Sequence, residues 1–180
     1  MSKIILITGG ARSGKSSYAL DICEKVSAKR LFIATCPTID SEMTDRVVRH
    51  QKEREGRGWE TLECPVDLET AFTEKANTFN VVLLDCITLW VNNVLYSYEQ
   101  KNTVLTDFII KDQANAWLTA AQSIDATVVC VTNEVGLGIV PENAIARKYR
   151  DLVGTVNQTI GKMADEVALV SCGVPLYLKK

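Results

Sequence analysis

The residues with the clearest chemical potential form a glycine-rich segment near the amino terminus. Gly9 and Gly14 are separated by four residues, and Lys15 and Ser16 follow directly. In a P-loop of this spacing, backbone N–H groups and the positive end of the following helix hold phosphate oxygens. The Lys15 ammonium would reach the β- and γ-phosphates, and the Ser16 hydroxyl would bind Mg²⁺. The predicted nucleotide-binding residues of the loop are Gly9, Gly10, Ala11, Arg12, Ser13, Gly14, Lys15 and Ser16.

The alternative is a glycine-rich turn that precedes a Lys-Ser pair by chance. An apolar run, residues 4–7, comes directly before the loop, and residues 17–26 after it have apolar side chains at helical spacing. Strand, loop and helix in this order are the context that the motif requires. The sequence therefore favours the phosphate-binding interpretation.

Asp85 is the best candidate for a second metal ligand. It follows the apolar run 81–84, and P-loop enzymes place a carboxylate at the end of a neighbouring strand, where it binds Mg²⁺ directly or through water. The alternative is that Asp85 caps the segment that begins at Ile87. We predict the metal role, because ligands of open α/β sheets collect at the carboxyl ends of the strands. Thr35 and the pair Asn133-Glu134 follow other predicted strands and would line the same crevice.

His50 is the only histidine of the chain, and it lies in the charged segment 41–54. Its imidazole can titrate near neutral pH or attack a phosphoryl centre. Nearby cations would hold a triphosphate; they are Arg46, Arg49, Lys52 and Arg54. The opposite interpretation is a solvated helix face on which acidic residues balance these charges. The residue types alone leave both interpretations open.

Alternating strands and helices must position these residues. The predicted strands are 4–8, 30–35, 59–63, 80–88, 126–132, 166–171 and 173–178; the predicted helices are 17–26, 41–54, 67–77, 87–96, 108–123 and 142–164, and 97–106 is a predicted loop. Continuous apolar runs such as 81–84 are typical of strands buried on both faces. We therefore predict an α/β fold whose mostly parallel sheet has helices on both faces and an antiparallel edge strand.

Length and composition predict one catalytic domain, residues 1–180, because 180 residues of which 47% are hydrophobic can bury one sizeable core. The net charge is −2 and no basic stripe is visible, so we expect no nucleic-acid partner. No apolar run approaches the roughly 20 residues that span a bilayer, and none reads as an export signal. We expect a cytoplasmic protein.

The six cysteines form no C-x-x-C pair, and most lie inside apolar runs. A thiol in that setting behaves as a small hydrophobic side chain, so we predict reduced, structural cysteines. With one histidine in the chain, a zinc site is not expected.

Several strings along the chain match one known family. They are residues 8–16, 33–35, 42–43 with Arg46 and His50, 59–63, 85–88, 132–141 and 147–158. On these residues the chain resembles the bifunctional adenosylcobinamide kinase/adenosylcobinamide-phosphate guanylyltransferases of cobalamin synthesis, over essentially its whole length. The string Asn-Glu-Val-Gly-x-Gly-Ile-Val-Pro at 133–141 gives the match its specificity, because a generic nucleotide kinase has only the glycine-loop motif.

The resemblance implies a RecA-like P-loop fold and two reactions. GTP or ATP, with Mg²⁺, phosphorylates adenosylcobinamide; GTP then forms a GMP-histidine, and the new phosphate takes the GMP to give adenosylcobinamide-GDP. Lys15 and His50 are the implied catalytic residues, and Arg49 stands where some relatives have a second histidine. The resemblance also implies a homotrimer. The further nucleotide-binding residues that it implies are Ala34, Thr35, Cys36, Gln51, Lys52, Glu53, Arg54, Glu63 and Asp85.

Two other functions remain as alternatives. A single-activity P-loop kinase of another small molecule would leave His50 without a role. A nucleotide-binding sensor ATPase would need an interaction surface, and no exposed apolar surface is recognisable in the sequence. The choice between ATP and GTP as phosphoryl donor, the corrinoid contacts and the base of the kinase step have no assignment from the sequence.

Overall fold

The computed structural model describes residues 2–36 and 54–180, whose strands form one seven-stranded sheet. The strands are β1 (Lys3–Gly9), β2 (Arg30–Ala34), β3 (Trp59–Glu63), β4 (Val81–Asp85), β5 (Thr127–Val131), β6 (Glu166–Ser171) and β7 (Val174–Lys179). Their order is β3-β2-β4-β5-β1-β6-β7. Every neighbouring pair is parallel except β6 and β7. The predicted mostly parallel sheet with an antiparallel edge strand is confirmed.

Helices connect these strands across both faces of the sheet. They are α1 (Lys15–Val26), α2 (Leu68–Thr70, continued by the π-helical Ala71–Lys75 and the 3-10 turn Ala76–Thr78), α3 (Ile87–Gln100), α4 (Asp107–Ser123) and α5 (Ala144–Met163). The Thr106 side chain accepts a hydrogen bond from the Ile109 N–H, and Asn143 accepts from Ile145 and Ala146. These caps satisfy N–H groups that have no partner inside the helix, and they fix where α4 and α5 begin.

Some predicted helix boundaries were wrong. Residues 97–100, predicted as part of a loop, belong to α3, and Tyr98 in this last turn packs against the core. The predicted helix 67–77 is helical from Leu68 to Thr78, with π-helical and then 3-10 geometry after Thr70. The helix predicted from 142 begins at Ala144, after its Asn143 cap. Helix α1 begins at Lys15 instead of 17. Most of the predicted helix 41–54 lies outside the described residues.

The inner strands β1, β2, β4 and β5 are buried on both faces, as their apolar runs predict, whereas the edge strands β3 and β7 are largely exposed. On one face Ile4 and Leu6 pack with residues of α3, α4 and α5, and on the other Ile5 and Ile7 pack beneath α1. On the first face Trp117 stacks on Phe72 at a ring-centroid distance of 5.9 Å. This two-sided burial leaves the ends of the strands as the part of the sheet that can meet a ligand.

All six cysteines are free, and four of them are buried. Burial raises the pKa of the Cys23 and Cys130 thiols to about 12. Cys36 is half-buried and Cys172 is exposed. The buried thiols agree with the structural role that the sequence predicts. Within the described residues, no helix combines the length and apolar character needed to cross a membrane.

Candidate nucleotide-binding site

The parallel register brings several predicted site residues to one edge of the sheet. Ala34, the last residue of β2, pairs with Glu63 of β3 and with Asp85 of β4. Asp85 in turn pairs with Val131 of β5, which also pairs with Ile7 of β1. The carboxyl ends of four strands therefore stop at nearly the same level, where the glycine loop leaves β1.

Two glycines of the loop have no room for a side chain. A Cβ atom on Gly9 would lie 2.4 Å from the Val170 carbonyl oxygen and 2.6 Å from Ser13 Oγ. Gly14 has a φ of 92°, and its Cβ would lie 3.1 Å from Gly173 Cα. Glycine adopts this left-handed conformation without the steric cost that a side chain adds. Backbone packing therefore requires glycine at the first and last glycine positions of the motif.

Backbone hydrogen bonds hold the loop in shape. The Ser13 N–H donates to the Gly10 carbonyl at 3.3 Å, and the Gly173 N–H donates to the Ser13 carbonyl at 2.8 Å. The Lys15 ammonium donates to the Gly10 carbonyl at 3.0 Å, and Lys15 is 9% exposed. The lysine therefore folds over a loop that is supported from behind by the β6–β7 turn.

The start of α1 carries uncompensated positive character. Its first turn has no acidic residue, and no side chain caps its amino terminus. The Ser13 hydroxyl is buried without a hydrogen-bond partner among the described residues. A helix amino terminus with available N–H groups favours a bound anion. Together with Lys15, these groups form a site suited to phosphate.

Ser16 and Asp85 carry oxygen atoms of the kind that Mg²⁺ prefers. Helix α1 packs against β4, so the helix that carries Ser16 lies beside the strand that ends in Asp85. In the described parts of the chain, no group of three or more His, Cys, Asp or Glu side chains is arranged to hold a metal alone. Mg²⁺ commonly uses one or two protein ligands and completes its shell with substrate phosphates and water. Ser16 and Asp85 fit that pattern.

A layer of hydrogen bonds joins the ends of β2 and β4. The Thr35 hydroxyl donates to the Cys86 carbonyl at 2.8 Å and accepts from the Cys86 N–H at 2.9 Å. Asn93 Nδ2 donates to the Thr35 carbonyl at 2.8 Å. Cys86 Sγ lies 3.0 Å from the hydroxyl of Thr88, which accepts from Asn133 Nδ2 at 3.0 Å. These hydrogen bonds hold together the residues that follow β2, β4 and β5. The sequence assigned no role to Asn93 or to the Thr88 hydroxyl.

Cys86 remains a neutral thiol in this layer. Burial raises its pKa to about 11, and the Asp85 carboxylate adds to the increase. The hydrogen bonds from Thr88 and Leu89 and the charge of Lys15 only partly oppose that increase in pKa. The thiol is therefore a packing group near the phosphate loop at neutral pH.

Glu134 connects the loop after β5 to the phosphate loop. Its carboxylate accepts a hydrogen bond from the Thr8 hydroxyl at 2.7 Å, and its backbone N–H donates to the Gly9 carbonyl at 3.2 Å. The neighbouring Asn133 carbonyl accepts from Asn157 Nδ2 of α5 at 3.2 Å. The sequence predicted that Asn133 and Glu134 line the crevice, but their partners are far away in the chain and gave no sequence signal.

The remaining predicted residues lie at different places. Glu63 is exposed at the end of β3, and Cys36 is half-buried after Thr35. The Arg54 guanidinium lies over the Phe32 ring, 3.5 Å from its centroid, and Arg54 is 5% exposed. The other predicted residues of that segment, His50, Gln51, Lys52 and Glu53, lie outside the described residues. Their roles stay predictions.

The strand–glycine loop–helix unit at the edge of this parallel sheet defines a P-loop nucleotide-binding protein. The fold is similar to the crystal structure of a KaiC-like protein from Pyrococcus horikoshii, with a TM-score of 0.51 and 12% sequence identity. The similarity covers 93% of this chain and 70% of that protein. At this identity the likeness concerns the fold alone.

Sequence comparison defines the family. The family model described as "Cobinamide kinase / cobinamide phosphate guanyltransferase" matches residues 5–178, and the chain belongs to this family. It is 41% identical to the bifunctional adenosylcobalamin biosynthesis protein CobU of Salmonella typhimurium, over 98% of this chain and 99% of that protein. It is 40% identical to CobU of Escherichia coli over the same shares. It is 32% identical to CobP of Pseudomonas aeruginosa, over 97% of this chain and 96% of that one.

Proposed function

We propose that this protein phosphorylates adenosylcobinamide and then transfers GMP from GTP to the new phosphate, giving adenosylcobinamide-GDP. The observation that carries the proposal is the fixed phosphate loop, with Lys15 folded over it, in a chain whose family match spans residues 5–178. The resemblance read from the glycine loop and from residues 133–141 supports the same pair of reactions.

In the kinase reaction, the substrate hydroxyl oxygen forms a bond to the γ-phosphorus while the bond to the nucleoside diphosphate breaks. The loop N–H groups and the Lys15 ammonium orient the triphosphate and offset the negative charge that develops on its oxygens. Ser16 and Asp85 would hold Mg²⁺, which supplies further charge neutralisation when bound. Positioning and electrostatics thus account for most of the catalysis that this site offers.

In the guanylyltransferase reaction, a His50 ring nitrogen attacks the α-phosphorus of GTP and pyrophosphate leaves. The resulting phosphorus–nitrogen bond is then broken by the phosphate of the corrinoid, which receives the GMP. A neutral imidazole is a good nucleophile, and the covalent intermediate divides one difficult displacement into two easier ones. The nucleotide contacts proposed for this reaction are Ala34, Thr35, Cys36, Gln51, Lys52, Glu53, Arg54, Glu63 and Asp85.

GTP labelled in its α-phosphate tests the proposal. We expect acid-labile, alkali-stable label on the wild-type protein and none on His50→Ala, which keeps its kinase activity. Lys15→Ala is the matched control, since it should lose both the label and the kinase activity. Label that persists in His50→Ala would refute the histidine assignment.

The same labelling experiment, together with measurements of substrate phosphorylation and triphosphate consumption, separates the alternatives. A wild-type protein that phosphorylates a substrate but never carries label would be a single-activity kinase. Triphosphate consumption that does not respond to added adenosylcobinamide would favour a sensor ATPase.

We also propose that the protein is a homotrimer and that it works in the cytoplasm, where its nucleotide substrates are available. The family resemblance supports the trimer. Sedimentation equilibrium should give a mass three times that of the 19.9 kDa chain.

A further inference from the structure

A cavity of about 480 Å³ opens between the amino-terminal ends of α4 and α5. Its walls include Leu105, Asp107, Arg147, Lys148, Asp151 and Leu152. The volume lies within the roughly 300–1,000 Å³ that is usual for ligand pockets. None of these residues belongs to the phosphate loop, so the cavity is a separate feature of the molecule.

Exposed apolar side chains accompany this cavity. Phe108 is 79% exposed and Ile145 is 55% exposed, and each directly follows a lining residue in the chain. The loop that leads into α5 adds Ile139, which is 95% exposed, and Val140. We call these four residues the apolar rim. Exposed apolar side chains mark an interaction site where they form a patch, and these four lie next to lining residues or in the loop before α5.

No exposed apolar surface is recognisable in the sequence, yet the four side chains of the apolar rim are exposed. Residues 137–140 include three apolar side chains, which in the sequence look the same as part of a buried run. In the structure all three are exposed, in the loop between β5 and α5. The exposure of side chains in such a loop depends on the tertiary structure and cannot be predicted from the sequence pattern.

The cavity wall carries both signs of charge. The Lys148 ammonium makes no hydrogen bond or ion pair with any residue that the structure describes, whereas Arg147 donates to the carbonyls of Pro141 and Glu142 at 3.0 and 2.6 Å. Asp107 and Asp151 provide the negative charges, although Asp151 lies 3.4 Å from the Arg150 guanidinium. A ligand that carries both a positive and a negative group would find a partner for each.

Helix α5 links this cavity to the nucleotide site. Tyr149, which follows the lining residue Lys148, donates a hydrogen bond to the Thr88 carbonyl at 3.2 Å. The Thr88 hydroxyl lies 3.0 Å from Sγ of Cys86, the residue that follows Asp85 in the chain. Two contacts thus lie between the chain neighbour of Lys148 and the chain neighbour of the proposed metal ligand Asp85.

We propose that the cavity and the apolar rim bind the phosphorylated corrinoid acceptor, an inference that rests on the proposed function. The corrin macrocycle is larger than the cavity, so only one edge of it would enter. The apolar rim would contact the face of the macrocycle that stays outside. Asp107 and Asp151 would face the positively charged cobalt–corrin core, and Lys148 would face the phosphate. Apolar contact and charge complementarity of this kind suit an amphipathic acceptor.

Two variants test the site, Lys148→Glu for the charge and Ile145→Asp for the apolar rim. In both we expect the KM for adenosylcobinamide phosphate to rise about tenfold, because each replaces a favourable contact with an unfavourable charge. GMP-histidine formation from GTP alone should not change, since that step needs no corrinoid. The matched control is Val26→Asp, an exposed apolar position at the end of α1; its KM should stay that of the wild type.

An unchanged KM in both variants would overturn the site. So would a KM that rises only together with a changed sedimentation mass, because the apolar rim would then be a contact between subunits. If the wild-type protein forms no GMP-histidine, the proposed function fails on its own account. The cavity is then tested by equilibrium dialysis of adenosylcobinamide phosphate, which is coloured: weaker binding to Lys148→Glu than to Val26→Asp supports it, and equal binding rejects it.

Discussion

Two loops leave neighbouring strands of the same sheet and lead into helices, yet they are built in different ways. The loop between β1 and α1 is fixed by its own backbone and by the β6–β7 turn, and it needs glycine at positions 9 and 14. The loop between β5 and α5 is joined to it through Glu134, but then exposes apolar side chains such as Ile139. The loop between β1 and α1 is suited to phosphate groups, which are common to all nucleoside triphosphates. The loop between β5 and α5 is suited to a ligand that side chains recognise.

This difference assigns nucleotide binding to one loop and corrinoid binding to the other. Changes in the loop between β1 and α1 should impair every step that uses a nucleotide. Changes around the loop between β5 and α5 should impair only the steps that use the corrinoid. The following predictions test that division, beginning with the largest expected effect.

Lys15→Ala should lower both the kinase rate and GMP-histidine formation by about 10²–10³-fold, because an electrostatic group directed at the phosphates is lost. The measurement is the initial rate of each step. Lys148→Ala is the matched lysine near the other loop, and it should leave GMP-histidine formation from GTP unchanged. Equal losses in both variants would contradict the division.

Gly9→Ala should lower the free energy of unfolding by about 1–3 kcal/mol, because its Cβ cannot fit against the backbone without displacing it. The obstacle is the Val170 carbonyl, 2.4 Å away. Gly10→Ala is the control, since a Cβ there meets nothing within 4 Å. Urea unfolding without nucleotide compares the two, and equal midpoints would show that the loop is not held as tightly as described.

Thr8→Val should cost about 1 kcal/mol of unfolding free energy, because it removes the hydroxyl that bonds to Glu134 and joins the two loops. Thr8→Ser keeps the hydroxyl and should recover most of the loss. The same urea titration provides the measurement. If serine behaves like valine, packing rather than this hydrogen bond stabilises the connection.

The smallest effect concerns the thiols near the phosphate loop. Burial raises the pKa of Cys86 from its ordinary value of 9.0 to about 11, so its thiol stays protonated up to a higher pH than usual. The thiolate is the reactive form, so alkylation of Cys86 should stay slow at neutral pH and accelerate only as the pH approaches that value. Exposed Cys172 should be modified first, as peptide mass mapping would show. Equal labelling at pH 8 would contradict the burial.

The parts of the site that the sequence predicts are local. The spacing of Gly9 and Gly14 and the apolar run before Asp85 each lie within one strand and its loop, so pattern alone finds them. The hydrogen bond between Thr8 and Glu134 joins residues 126 positions apart, and Thr35 meets Cys86 across 51 positions. Such contacts depend on strand order, which no periodicity encodes. The exposure of Ile139 depends likewise on tertiary packing.

The most direct test of the account is the mass of the intact protein after exposure to GTP. The account predicts a gain equal to one GMP per chain, which disappears when adenosylcobinamide phosphate is added and which His50→Ala never shows. An unchanged mass in the wild-type protein, or an equal gain in His50→Ala, would contradict the covalent guanylyl transfer on which the proposed function depends.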